Sequence, residues 1–132
     1  MKKLEKLKTF EDACKVLRLN SKKVLPDFSC YPKQDHAAMQ AHAKLVIIVR
    51  AANLLTNKGK EWKPDWSNYG QWKYYPWFEM GSSSGVGFSY YDCAFWYTFS
   101  FVGSRLCFKS ADLAKHAGQL FEQEIYKPLF TI

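Results

Sequence analysis

Residues 73–109 read KYYPWFEMGSSSGVGFSYYDCAFWYTFSFVGSRLCFK, a run dense in aromatic residues and punctuated by glycine and serine at two points. Aromatic and β-branched runs bounded by Gly and Ser clusters are strand signals. The runs 74–80 and 86–91 flank GSSSG (81–85), a hairpin loop by composition. The runs 94–102 and 105–109 flank Gly103-Ser104, and glycine in the first position of a two-residue loop marks a type II′ turn. That turn sets Phe101 opposite Leu106 and Phe99 opposite Phe108, with Val102 opposite Arg105, Ser100 opposite Cys107 and Thr98 opposite Lys109 on the alternate face. The five-residue loop sets Met80 against Val86, Phe78 against Phe88 and Pro76 against Tyr90. The expectation is a four-stranded antiparallel sheet made of two hairpins. Its core face carries Phe78, Phe88, Phe95, Tyr97, Phe99, Phe101, Leu106 and Phe108. Its second face carries Lys73, Tyr75, Trp77, Tyr91, Trp96, Arg105 and Lys109.

Outward from this sheet the periodicity changes to that of helices. Ser110 is a preferred N-cap, Asp112 falls in the first turn where the helix dipole favours an acid, and Leu113, Ala117, Leu120, Phe121 and Ile125 form one apolar stripe. This helix is expected to stop at Pro128, with Leu129, Phe130 and Ile132 packing back as a short tail. On the other side, 60–72 (KEWKPDWSNYGQW) spaces Pro, Gly, Asn and Asp too closely for regular structure, so its Trp and Tyr residues read as anchors of an ordered loop. Before it lies the clearest helix, from Gln34 or Asp35 to Thr56, stopped by Asn57 and Gly59. Its LVIIV run at 45–49 covers more than one face, predicting burial on several sides and leaving Arg50 in need of a partner or a route to solvent. Thr9, as N-cap with Asp12 in the capping-box position, starts a first helix ending by Asn20, with Phe10, Ala13, Cys14 and Leu17 as its stripe. Residues 21–32 read as a loop, and 1–8 as a loosely attached basic arm. The order is two N-terminal helices, four strands and a C-terminal helix: one α+β domain over 1–132.

Charge and aromatic content are segregated. The 132 residues carry 19 Lys plus Arg against 12 Asp plus Glu, a formal net charge of +7. Residues 1–60 hold 13 basic against 5 acidic residues, whereas 61–132 hold 6 against 7. Of 23 aromatic residues, 17 lie between Trp62 and Phe108, including all five Trp. A basic balance of this kind favours anionic partners, either single-stranded nucleic acid or an acidic protein surface. No apolar run approaches the roughly 20 residues of a membrane span, so no membrane partner is expected.

Chemistry-bearing patterns are sparse. Cys14, Cys30, Cys93 and Cys107 have no CxxC spacing, and His36 and His42, six residues apart, sit about 240° apart round a helix, so no metal or other cofactor is expected. No pairing of Cys with His stands out as catalytic, and the chain reads as a non-enzyme. GSSSGVG (81–87) lies between strands, where no helix dipole points at a phosphate; Lys109-Ser110 at a helix start is the better anion site, though capping alone explains Ser110. What remains is the second sheet face. Aromatic rings interleaved with cations suit single-stranded nucleic acid: Tyr75, Trp77, Tyr91 and Trp96 stack on bases while Lys73, Arg105 and Lys109 neutralise phosphates. Three alternatives stand beside this. The long second helix covers that face as a second core layer; the aromatic loop 62–77 is a protein-contact patch; or an aromatic pocket takes a small molecule or nucleotide.

The stretches TFEDACKVL (9–17), KPDW (63–66), KYYPWF (73–78), GFSYYD (87–92), VGSRLCFKSADLAKHAG (102–118) and FEQEIYKPL (121–129) together resemble a family of short proteins of uncharacterised function carried by bacteriophages, prophages and other mobile elements of gut bacteria. The resemblance covers most of the chain. It implies an accessory role in the cytoplasm of a bacterial host cell: nucleic-acid handling, inhibition of a host defence system, or a minor structural part of the virion.

Overall fold

The Thr9 hydroxyl accepts the Asp12 N–H, and the Asp12 carboxylate accepts the Thr9 and Lys8 N–H groups, at 3.0–3.1 Å. This capping box opens helix α1 (Phe10–Val16) in a computed structural model that describes residues 3–81 and 87–132. The donated N–H groups, Lys8 first, hold the Asp12 carboxyl below its usual range. α1 stops earlier than its stripe suggests: Arg18 turns left-handed (φ 58°) and the Leu19 N–H closes on the Cys14 carbonyl at 2.8 Å. Ahead of it, Leu4 and Leu7 are buried, and the Leu7 carbonyl meets the His116 ring at 2.7 Å. The described part of the basic arm is therefore packed down rather than frayed.

Helix α2 (His36–Thr56) has the expected span, and Gly59 (φ +73°) terminates it by giving its N–H to the Leu54 carbonyl. Within LVIIV only Leu45, Ile48 and Val49 are fully buried. Val46 and Ile47 are partly exposed, so α2 buries a stripe that Ala51, Ala52 and Asn53 continue.

Strands β1 (Lys73–Glu79) and β2 (Ser89–Trp96) form a two-stranded antiparallel sheet, which replaces the four-stranded sheet the sequence suggests. The first hairpin exists in a different register. Phe78 pairs with Tyr90 and Glu79 with Ser89; a bulge then makes Tyr91 the extra residue, and Trp77 pairs with Asp92, Pro76 with Cys93 and Lys73 with Trp96. β2 thus runs straight through the expected break at 92–93. The GSSSG tip and Val86 fall, apart from Gly81, outside the described residues.

The second hairpin does not form. Gly103 has the expected positive φ (+74°), yet the flanking chain is not paired as strands. The Ser100 hydroxyl takes the N–H groups of Val102 and Gly103, at 3.0 and 2.8 Å, and this local side-chain bonding competes with a ladder. Phe108 instead exchanges both its backbone hydrogen bonds with Tyr74 of β1, at 2.7 and 2.9 Å, as a one-residue bridge. Phe99 and Phe101, assigned to the core face, are 75% and 89% exposed.

The Ser110 hydroxyl accepts the Leu113 N–H and caps helix α3 (Ala111–Leu120), which lies across the inner face of the hairpin. Gly118 makes that approach possible: a Cβ there would stand 2.6 Å from the Tyr90 ring and 2.7 Å from the Pro76 Cβ. The chain then widens into a π-helical stretch, Glu122–Tyr126, with the Phe121 carbonyl accepting from both Ile125 and Tyr126. Pro128 does not end a helix. It sits in the first turn of α4 (Lys127–Phe130), which continues directly from the π-helical stretch. α1, the π-helical stretch and α4 pack on α2, and the core lies between that helical layer and α3.

Candidate binding surface

The odd-numbered residues of β1 point away from α3. At one end of this outer face Lys73 is 1% exposed, its ammonium donating to the carbonyls of Asp65 (2.6 Å), Tyr97 (2.7 Å) and Asn68 (3.2 Å) under the Trp66 ring. Three carbonyl acceptors and an aromatic face satisfy a buried cation. Lys73 therefore pins the loop 61–72 to the sheet. Trp66 fixes the loop again by donating its indole N–H to the Ser104 hydroxyl at 2.7 Å, and Asp65 accepts from the Ser67 hydroxyl and amide, which lowers its pKa.

Toward the hairpin tip the same face opens. Trp77 is 52% exposed, and the bulge turns Tyr91 out to 70% exposure, since a bulged residue has no partner to hold it in the ladder. Tyr75 lies 6.5 Å from Trp77, ring to ring, and its hydroxyl sits beside Trp96; burial raises its pKa. Trp96 meets Phe101 edge-on at 5.9 Å, and its indole N–H is buried beside the Tyr75 hydroxyl. Trp77, Tyr75, Trp96 and Phe101 so form one continuous aromatic strip. The charged residues beside it are Asp92, opposite Trp77, and Glu79, both exposed. Among the described residues α3 is the helix packed on both strands, and its Gly118 meets Tyr90 and Pro76 on the inner face, while the loop 61–72 covers the Lys73 end of the outer one.

Of the seven residues expected to share this face, the four aromatic ones do, and the three cations do not present charge on it. Lys73 is sealed. Lys109 caps the C-terminus of α2, donating to the Thr56 carbonyl at 3.1 Å and the Asn57 side chain at 3.2 Å, a position the helix dipole favours. Arg105 lies with Arg50 on a cleft beside α2. The turn expected at Gly103-Ser104 would have brought Arg105 and Lys109 onto the sheet, and without that hairpin both go to α2.

A second aromatic group stands at the far end of the hairpin: Trp72 stacks on Phe95 at 4.2 Å and Tyr69 on Tyr97 at 4.4 Å. Two polar residues that the sequence reading passed over hold the frame. Asn53, buried in α2, grips the 107–109 segment through its side chain. Glu122 accepts the Tyr90 N–H beside the bulge, and that bond keeps its carboxyl below the usual range. The signal for Asn53 was an amide inside an apolar helix half; Glu122 carried none, because the bulge that creates its partner is not encoded by a local pattern.

Among the described residues no helix is long and apolar enough to cross a membrane. No protein-family model, curated protein or solved structure matches the chain.

Proposed function

We propose that this protein is a non-enzymatic binding module that recognises another protein through the outer aromatic strip, as an accessory protein of a phage or mobile element. One observation carries the reading: Trp77 and Tyr91 stand exposed on a face whose free charges are the acids Asp92 and Glu79, while Lys73 and Lys109 are bonded elsewhere and Arg105 lies on the cleft beside α2. A nucleic-acid platform needs cations among its rings, since phosphate contacts supply most of the affinity. Trp and Tyr without such cations are the usual anchors of protein interfaces. The partner surface that fits is an apolar pocket rimmed by Lys or Arg, which would meet Asp92 and Glu79. The resemblance to mobile-element proteins supports the accessory role.

The test is recovery of partner proteins from bacterial lysate on wild-type protein and on Trp77→Ala and Tyr91→Ala variants of unchanged circular dichroism, after nuclease treatment and at high salt. The expected result is a partner that survives nuclease and salt on wild type and is lost from both variants. Retention that disappears with nuclease, or that both variants keep, would overturn the proposal and favour nucleic acid or another face.

A further inference from the structure

A cleft of about 310 Å³ lies between the second half of α2, the loop 61–64 and the Ser104-Arg105 turn. It shares no residue with the outer aromatic strip. Three cations line it, Arg50, Lys63 and Arg105, against one acid, Glu61. The one ion pair among the described residues is Lys44 with Glu124, on another part of the surface, and none of the three cations donates a side-chain hydrogen bond there. Arg50, which the sequence left without a partner on an apolar helix, reaches solvent at this cleft. The opposite character comes from Val46, Val49 and Trp62; no other aromatic ring among the described residues packs on Trp62. The cleft is therefore half apolar and planar, half cationic, and its volume lies at the lower end of the range, about 300–1,000 Å³, of small-ligand sites.

We propose that this cleft binds a nucleoside phosphate, with Arg50 and Arg105 taking the phosphate and Trp62 the base. Two guanidinium groups suit phosphate because each presents paired N–H donors to two oxygens at once. An aromatic face beside them accepts any base by stacking. Neither half of the cleft alone accounts for the other: inorganic phosphate leaves Trp62 and the valine wall unused, and an uncharged ligand leaves three unpaired cations. The same chemistry is offered by a free mononucleotide and by the 5′-phosphorylated end of a strand.

Calorimetric titration of the full chain separates these cases, using nucleoside 5′-monophosphates, the corresponding nucleosides, inorganic phosphate and a short 5′-phosphorylated single strand. The monophosphate should bind more tightly than nucleoside or phosphate alone. Arg50→Gln and Arg105→Gln, both at exposed positions, should each weaken it about tenfold or more, the effect of losing a charge-assisted hydrogen bond. Trp62→Leu should weaken the monophosphate and leave inorganic phosphate unchanged. Tighter binding of the strand than of the monophosphate, with the same loss in Arg50→Gln, supports the site and identifies a strand end as its ligand. No binding of monophosphate or strand, equal binding of nucleoside and monophosphate, or affinities indifferent to both arginine variants would overturn the proposal.

Discussion

Asn53 accepts the Lys109 backbone N–H on its Oδ1 at 3.0 Å, while its Nδ2 donates to the Cys107 carbonyl, also at 3.0 Å. A side-chain amide here does the work of a neighbouring strand. Phe108, between those two residues, turns its own N–H and C=O the other way, to Tyr74 of β1. Residues 107–109 are thus held on both edges, by the sheet on one side and by α2 on the other, and this joins the helical layer to the hairpin.

Replacing Asn53 with Leu should therefore destabilise the fold by about 2–4 kcal/mol, because a buried N–H and a buried C=O both lose their partners. Urea denaturation of the variant measures it. A loss under 1 kcal/mol would mean that water reaches the segment and the clamp is dispensable.

Gly118→Ala tests the packing of α3 on the sheet. Alanine is the better helix former by about 1 kcal/mol, so propensity alone predicts a gain. The Tyr90 ring and the Pro76 Cβ stand 2.6 and 2.7 Å from the new methyl, and both belong to the packed hairpin. The expected outcome is a net loss of about 1–3 kcal/mol from overpacking, read as a lower thermal midpoint.

Glu122 ties the bulge to the end of α3 and makes stability pH-dependent. Accepting the Tyr90 N–H lowers its carboxyl pKa below the usual 4.5, so the folded state favours the ionised form. The contribution is present in full above the ordinary glutamate range and disappears as pH falls through the lowered value. Glu122→Gln keeps an acceptor but no charge. Its stability relative to wild type should be lowest near neutral pH, with the two converging in acid, as followed by denaturation at several pH values.

Thiol reactivity should follow burial. Cys30 is exposed, whereas Cys14 and Cys107 are enclosed, and burial pushes the Cys107 thiol up to about 11. In the native protein a maleimide should label Cys30 first and Cys107 last, the latter only on unfolding. Mass-spectrometric mapping of the labelled positions checks the order.

How much of this was legible follows from which forces are local. The capping box at Thr9 and Asp12, the span of α2 and the Ser110 cap all rest on interactions within a few residues, and the sequence shows them. The second hairpin failed because its aromatic alternation was compatible with a strand, while Ser100 offered the backbone donors a nearer acceptor and Asn53 captured 107–109 from 54 residues away. The aromatic half of the expected surface survived since β1 keeps its alternation through the bulge. Its cationic half did not, because where Lys73 and Lys109 send their ammonium groups depends on carbonyls brought together only by the fold. Arg50 is the converse case: a charge at odds with its helix, visible in the sequence, that opens on a cleft no local pattern reveals.

The outer strip is the centre of this account, and hydroxyl-radical footprinting of the isolated complex tests it most directly. Oxidation of Trp77 and Tyr91 should slow several-fold when the partner is bound, while exposed Tyr31, in the loop before α2, keeps its rate. Unchanged oxidation of Trp77 and Tyr91 in the complex, with protection elsewhere, would contradict it.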